Sequence, residues 1–361
     1  MGKVRYGIIG SGMMGREHIR NIALLPGTEV VAVADPDEGM RESAARLAGN
    51  ETKAFTNYRD LLSADPCDAF VVAAPNHQHA AIMRDLIALG KPVLCEKPVC
   101  TTVADCVELA RQAEAAGTPV WVAMEYRYME PVARMIEEVR SGAIGRLRML
   151  TIREHRYPFL SKVGHWNRFN CQTGGTLVEK CCHFFDLMRL VTGAEATRVY
   201  ASGGRDVNFL EESYEGRSPD VLDNAFVVVD FDNGVRAALD LCMFAEGSYW
   251  QEAIAATGDL AKIEAFVPGP ARFLPGGKER VAEIAISPRA TKIEQRWPVE
   301  VDRTILAAGD HHGSTFHQHK RFLDLVRHGG RPEVSLEDGT KAVAIGAAAE
   351  ESVRTGQVVL L

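Results

Sequence analysis

Short apolar runs alternate with amphipathic stretches through the first third of the chain. Residues 4–10, 29–35, 68–74, 92–95 and 119–124 read as strands, and 16–25, 36–49, 79–89 and 103–116 as helices. The strand runs are apolar throughout rather than at every second position. Such strands belong in a parallel sheet covered by helices on both faces. The expectation is an α/β, doubly wound parallel sheet with its ligand at the carboxyl ends of the strands.

Beyond residue 128 the pattern changes. A helix at 131–141 leads into a β-rich stretch at 146–157, then a helix at 176–191. Further strands are expected at 198–203, 224–231, 235–244, 252–257, 262–266 and 281–286, and two helices, 314–327 and 337–355, follow. Asp232-Asn233-Gly234 marks a hairpin, read as a type I′ turn, and the Pro/Gly-rich 267–277 a loop. Hairpin-linked strands with few helices between them predict an α+β domain built on a mainly antiparallel open sheet. The chain thus divides into a nucleotide-binding domain, 1–128, and a substrate-binding and oligomerisation domain, 129–361.

Composition narrows the function classes. The 361 residues are 46% hydrophobic and 25% charged, with a net charge of -7. No basic block points to nucleic acid, and no cationic amphipathic face or long apolar run points to a membrane. The eight cysteines lack paired metal spacing and suit buried free thiols in a reducing compartment. The first residues do not read as a signal peptide, so the expected location is cytoplasmic.

Gly10-Ser11-Gly12-Met13-Met14-Gly15 fits G-x-G-x-x-G between a strand and a helix. Gly10 makes the turn, Gly12 admits a pyrophosphate to the backbone, and Gly15 lets the helix pack on the strand. The helix start then offers free N–H groups to phosphate. Asp35, twenty residues after Gly15 at the end of the second strand, stands where an acid binds the ribose hydroxyls. That carboxylate would repel a 2′-phosphate, and the nearest following arginine is Arg41. The pattern predicts a Rossmann domain and favours NAD over NADP.

Two polar clusters close the next strands. One runs from Ala74 through Pro75-Asn76-His77-Gln78-His79; the other is Glu96-Lys97-Pro98. Partial burial in a cofactor cleft would lower the pKa of Lys97, suiting it to take a hydroxyl proton. Pro98 makes a cis peptide accessible there. On the helix 176–191, Glu179, His183 and Asp186 fall at i, i+4 and i+7 on one face. Glu179 and His183 are candidates for holding substrate hydroxyls opposite Lys97. The four histidines between His311 and His319 lack carboxylate or thiolate partners at ligand spacing, and no metal is expected.

These motifs together resemble the glucose–fructose oxidoreductase/inositol dehydrogenase (Gfo/Idh/MocA) family. The resemblance rests on 10–15, Pro75-Asn76-x-x-His79, Glu96-Lys97-Pro98 and Glu125-Tyr126-Arg127-Tyr128. It continues through Trp166, Gly174-Gly175, His183-x-x-Asp186 and Ser335-Leu336-Glu337-Asp338-Gly339. It implies hydride transfer between the nicotinamide and a carbinol carbon of a sugar, inositol or related polyol. By resemblance Lys97 is the acid/base, His183 assists it, and Glu179 stands where many members carry Asp. Arg127 and Trp166 would line the nicotinamide pocket, and His155 would face substrate. Lys180 and Cys181 depart from the family pattern, and Lys180 is expected to pair with an acid elsewhere. A homodimer or homotetramer is expected through the open sheet. Two alternatives share the resemblance: a glycosidase that oxidises its sugar transiently, and a non-catalytic sugar sensor that binds dinucleotide.

Overall fold

The computed structural model describes residues 2–361, which divide into two compact units. The first comprises the chain up to Glu125 together with Arg303–Gly309 and Gly313–Val343. The second comprises Tyr126–Asp302, Asp310–His312 and Ala344–Leu361.

Six strands build the first unit: β1 (Val4–Ile9), β2 (Thr28–Ala34), β3 (Lys53–Phe55), β4 (Ala69–Val72), β5 (Val93–Cys95) and β6 (Val120–Val122). All pair in parallel, in the order β3-β2-β1-β4-β5-β6. This is the doubly wound order expected for a dinucleotide-binding domain, with strand order reversing between β1 and β4. Ile8, Val33, Phe70, Val71 and Leu94 are fully buried, which accounts for their unbroken apolar runs. The helices between them are α1 (Met13–Ala23), α2 (Glu38–Ala48), α3 (Tyr58–Ala64), α4 (His79–Leu89) and α5 (Val103–Ala116). Asp37 and Thr102 cap α2 and α5 by accepting N–H bonds, and Gly90 and Gly117 end α4 and α5 in the left-handed region. Helix α1 has neither a side-chain cap nor an acid in its first turn. The helix Ser314–His328 also belongs to this unit, its buried Phe322 tilted against Tyr6 and edge-on to Trp121.

The second unit carries a nine-stranded sheet. Its strands are β7 (Leu147–His155), β8 (Ala196–Gly204), β9 (Asn224–Phe231), β10 (Arg236–Cys242) and β11 (Glu252–Gly258). They continue with β12 (Ala261–Val267), β13 (Ala282–Pro288), β14 (Gln295–Val299) and β15 (Val359–Leu360). The order is β14-β13-β12-β11-β7-β10-β9-β8-β15, antiparallel except at the β7/β10 junction. One face buries Ile152, Val227, Val229, Leu239, Ile254 and Ile263; the other leaves Met149, Tyr200, Phe226 and Val228 exposed.

Two local expectations need correction. The β9–β10 hairpin forms, but only Gly234 of its turn has a positive φ (83°), with Gly234 N–H donating to Phe231 O. The turn is therefore of the three-residue kind with a left-handed glycine rather than type I′, which needs two positive φ angles. The helix expected at 176–191, which follows α6 (Glu130–Arg140), is two pieces, α7 (Thr176–Glu179) and α8 (Cys182–Thr192), because the chain leaves regular helix at Lys180 and Cys181.

Candidate active site

In the first unit the carboxyl ends of β1, β4 and β5 lie side by side, since these strands are sheet neighbours. They deliver the glycine turn, Asn76 and Lys97 respectively. Gly10 has φ 92°, and a Cβ there would stand 2.4 Å from the backbone of Ala73 and Ala74. A Cβ on Gly15 would lie 2.1 Å from Gly10 O. Above Gly12 there is open space, with no atom within 4 Å of a built Cβ. Two of the glycines are thus demanded by packing, and the third leaves the backbone open to a ligand.

Asp35 does more than the sequence suggested. Its carboxylate accepts the Ser11 N–H at 2.6 Å and the Asp37 N–H at 2.9 Å, locking the glycine turn to the end of β2. Arg41 donates to Asp35 O at 2.8 Å, and Arg16 donates to Ser11 O at 3.1 Å. The helical turn after Pro36 brings Arg41 back to the strand end, so a separation of six residues understates its nearness.

The polar groups here fit a dinucleotide. The N–H groups at the start of α1 lack a side-chain acceptor, and Ser11 Oγ and Asn76 Nδ2 are buried without a hydrogen-bond partner among the described residues. Buried polar atoms left unpaired are costly, and phosphate and amide groups of a bound dinucleotide would satisfy them. His79 lies deeper. Its ring nitrogens stand 2.8 Å from Pro98 O and 2.9 Å from Ala74 O, between the two polar clusters; burial lowers its pKa, and the neutral ring donates to one of these carbonyls. The Lys97-Pro98 peptide is cis. Glu96 is buried and bonds His18 at 2.9 Å, while its other oxygen accepts the Lys97 N–H at 3.2 Å.

In the second unit His183 is buried and stacked on Tyr126, ring centroids 4.1 Å apart and 5° from parallel. Lys180 Nζ donates to Tyr126 Oη at 2.6 Å and pairs with Glu154 at 2.9 Å. Glu154 on β7 stands directly opposite Glu252 on β11, and both side chains are buried. Arg156 approaches Glu154 at 3.4 Å, and Gln251 donates to Glu252 at 2.7 Å. Burial, reinforced by Glu154, pushes the Glu252 carboxyl up to about 7. The acid expected for Lys180 is therefore Glu154.

Glu179 is buried and stands 3.7 Å from Lys162, whose ammonium lies 4.5 Å from the Trp166 ring centre. Arg127 forms a buried bidentate pair with Asp186, so the third position of the expected Glu-His-Asp face holds the arginine. His155 bonds Asp240 at 3.1 Å across the β7/β10 junction. Ahead of α7, Gly175 has φ 97°, and a Cβ there would fall 2.4 Å from the Glu350 carboxyl carbon. Glu350 accepts the Leu177 N–H at 2.8 Å and caps α7, its own carboxyl pushed up to about 7 by burial.

The histidine-rich stretch serves separate neighbourhoods. His311 lies 6.2 Å from Tyr126 in the second unit, and His319 bonds His18 in the first. No group of three or more metal-ligating side chains was found among the described residues. The sequence offered little sign of His18, His319, Tyr126, Glu154, Glu252 or Glu350 as site-builders. Only Tyr126 lay within a motif carrying the family resemblance, while His18, His319 and Glu350 fell on predicted helices.

Comparison with known proteins agrees with this architecture. A family profile described as "Oxidoreductase family, NAD-binding Rossmann fold" matches residues 4–124, and its "C-terminal alpha/beta domain" matches 136–361. The chain is 25% identical to myo-inositol 2-dehydrogenase of Thermotoga maritima, over 99% of this chain and 98% of that protein. It is 30% identical to rhizopine catabolism protein MocA of Rhizobium meliloti, over 55% of this chain and 60% of that protein. The crystal structure of an oxidoreductase domain protein from Kribbella flavida shares the fold, with TM-score 0.83 and 22% identity, covering 100% and 99% of the two chains. The first unit is a Rossmann domain that binds NAD. The chain belongs to the Gfo/Idh/MocA family of NAD(P)-dependent oxidoreductases.

Proposed function

We propose that the protein is an NAD-linked dehydrogenase oxidising a carbinol of an inositol, sugar or related polyol. The observation that carries this reading lies within the first unit. Lys97 follows β5 by two residues, at the same sheet edge as the open backbone of Gly12. An amine at that edge is suited to proton exchange beside a dinucleotide. Relatives named inositol dehydrogenases support the substrate class.

When bound, NAD supplies the hydride acceptor. In this reading Gly10, Ser11, Gly12, Met13, Met14, Gly15 and Asp35 hold its adenosine and phosphates, with Ala74, Pro75, Asn76, His79 and Glu96 along the neighbouring strand ends. Lys97, as the neutral amine, takes the proton of the reacting hydroxyl. His183 orients that hydroxyl or relays its proton, and Glu179 accepts a hydrogen bond from a neighbouring one. Trp166 and Arg127 line the nicotinamide pocket and, with His155, complete the substrate contacts.

Lys97→Ala should reduce turnover by roughly 10²–10⁴-fold while NAD binding persists. The assay is NADH appearance with a panel of inositols, aldoses and glycosides. Near-normal turnover in that variant would overturn the assignment. Release of an aglycone without net NADH would instead identify a glycosidase.

Domain roles follow the two units: the first, which takes in Arg303–Gly309 and Gly313–Val343 beyond the expected 1–128, for dinucleotide, and the second for substrate and assembly. The face carrying Tyr200, Phe226 and Val228 is proposed to bury against a second copy, giving a homodimer or homotetramer. A monomeric mass by light scattering would refute that. The proposed compartment is the cytoplasm, where the buried thiols stay reduced.

A further inference from the structure

Behind Lys97 lies a chain of three buried polar side chains drawn from distant parts of the sequence. Glu96 precedes Lys97, His18 stands on α1, and His319 stands on the helix Ser314–His328; all belong to the first unit. His18 Nε2 is 2.9 Å from Glu96 Oε1, and His18 Nδ1 is 2.8 Å from His319 Nε2, the two rings nearly perpendicular. His18 and His319 are wholly buried, and Glu96 is 4% exposed. The second Glu96 oxygen accepts the Lys97 N–H.

We propose that His18 and His319 are positioning residues for Lys97, holding the Glu96 carboxylate and, through it, the Lys97 main chain in one orientation. This rests on the reading of Lys97 as the acid/base. Hydrogen-bond chemistry sets the direction of the chain. An ionised carboxylate only accepts, so His18 donates from Nε2. The 2.8 Å contact between His18 Nδ1 and His319 Nε2 needs one donor and one acceptor, so one proton lies between the two rings. Burial lowers the pKa of His319 and favours its neutral form.

The far end of the chain identifies its role. His319 Nδ1 has no partner among the described residues, and the ring packs edge-on against Tyr6, which in turn tilts against Phe322. A relay that ends among aromatic rings has no proton acceptor beyond it, so it orients rather than conducts. An apolar ring would suit such a pocket better than an imidazole with an unpaired nitrogen. What the imidazole adds is the bond to His18. On the other side of Lys97, His79 grips Pro98 O, so the segment is fixed from both flanks.

The test uses the full-length protein with NAD bound, and the variants His319→Phe and His319→Gln. Proton NMR of the parent should show two strongly downfield imidazole N–H resonances, one of which disappears in His319→Phe. In lysine-labelled protein the Lys97 amide, identified by comparison with Lys97→Arg, should exchange with solvent at least about tenfold faster in His319→Phe. With a polyol that the parent oxidises, kcat should fall about 10–100-fold while NAD affinity is unchanged. His319→Gln, which keeps a donor, should recover amide protection and most of kcat. A parent lacking downfield imidazole protons overturns the proposal. So does a His319→Phe variant with parental amide exchange. Absence of turnover in the parent would defeat the proposed function instead, and the two NMR measurements would still decide this one.

Discussion

The sealed polar groups beneath the site residues of the first unit include three imidazoles: His18, His79 and His319. Those of the second include the carboxyls Glu154, Glu252 and Glu350 with the cations Lys180 and Arg156. Both sets make buried hydrogen bonds, yet His79 and His319 respond to pH in the opposite sense from Glu252 and Glu350. Burial depresses His79 and His319 below 6.5, so their contribution is present above that value and lost as pH falls. Burial lifts Glu252 and Glu350 from 4.5 to about 7, so theirs is full below 4.5 and lost as pH rises through 7. His312, lowered to about 4, brings a share of the acid-side response to the second unit. A neutral imidazole tolerates burial near neutral pH, whereas a buried carboxyl must keep its proton or find a cation.

The largest expected effect breaks the cation side of this contrast. Arg127→Met strands the Asp186 carboxylate in the second unit and should cost about 3–5 kcal/mol in urea unfolding. Adding Asp186→Leu should restore most of that, and a double variant as weak as the single would refute the pair's role. Next is the pH response itself. Glu350→Gln should abolish a loss of about 3 kcal/mol between the acid and alkaline ends of the Glu350 titration, read as the difference in unfolding free energy near pH 5 and near pH 8. An unchanged pH slope would show that Glu350 titrates normally. Gly175→Ala should cost about 1–3 kcal/mol, because φ 97° and the Glu350 carboxyl both oppose a Cβ. A crystal structure of the variant with Glu350 still on Leu177 N–H would contradict the crowding. The smallest is Tyr126→Phe, which keeps the stack on His183 but loses the Lys180 bond, at about 0.5–1.5 kcal/mol. Calorimetry would read that loss as a modest drop in Tm.

The parallel sheet was legible because burial on both faces writes itself as unbroken apolar runs, and the glycine turn because backbone approach excludes side chains. Short edge elements were not. Lys53–Phe55 has three residues, none fully buried, and Gln295–Val299 contains Pro298 and is largely exposed. Neither carries a periodic signal, and only pairing with a neighbour makes it a strand. The site divides the same way. Gly10, Gly12, Gly15 and Asp35 are local, within one βαβ unit. Glu96 meets His18 across 78 residues, and His18 meets His319 across 301. Nothing in the spacing of a sequence announces such pairs. Asp186 lies within the predicted helix, but its partner Arg127 comes from 59 residues upstream.

The position of Arg41 bears on how this enzyme could be retooled. In the proposed reading, discrimination against a phosphorylated ribose would rest on one carboxylate, Asp35, while a guanidinium already stands on the carbonyl of the same residue. Replacing that acid with serine removes the repulsion and leaves a cation within reach of the incoming charge. In that reading a single codon would separate two pools of reducing power. Asp35→Ser should shift the ratio of kcat/KM toward NADP, although the turn it now braces through Ser11 N–H and Asp37 N–H will need a hydroxyl to take over.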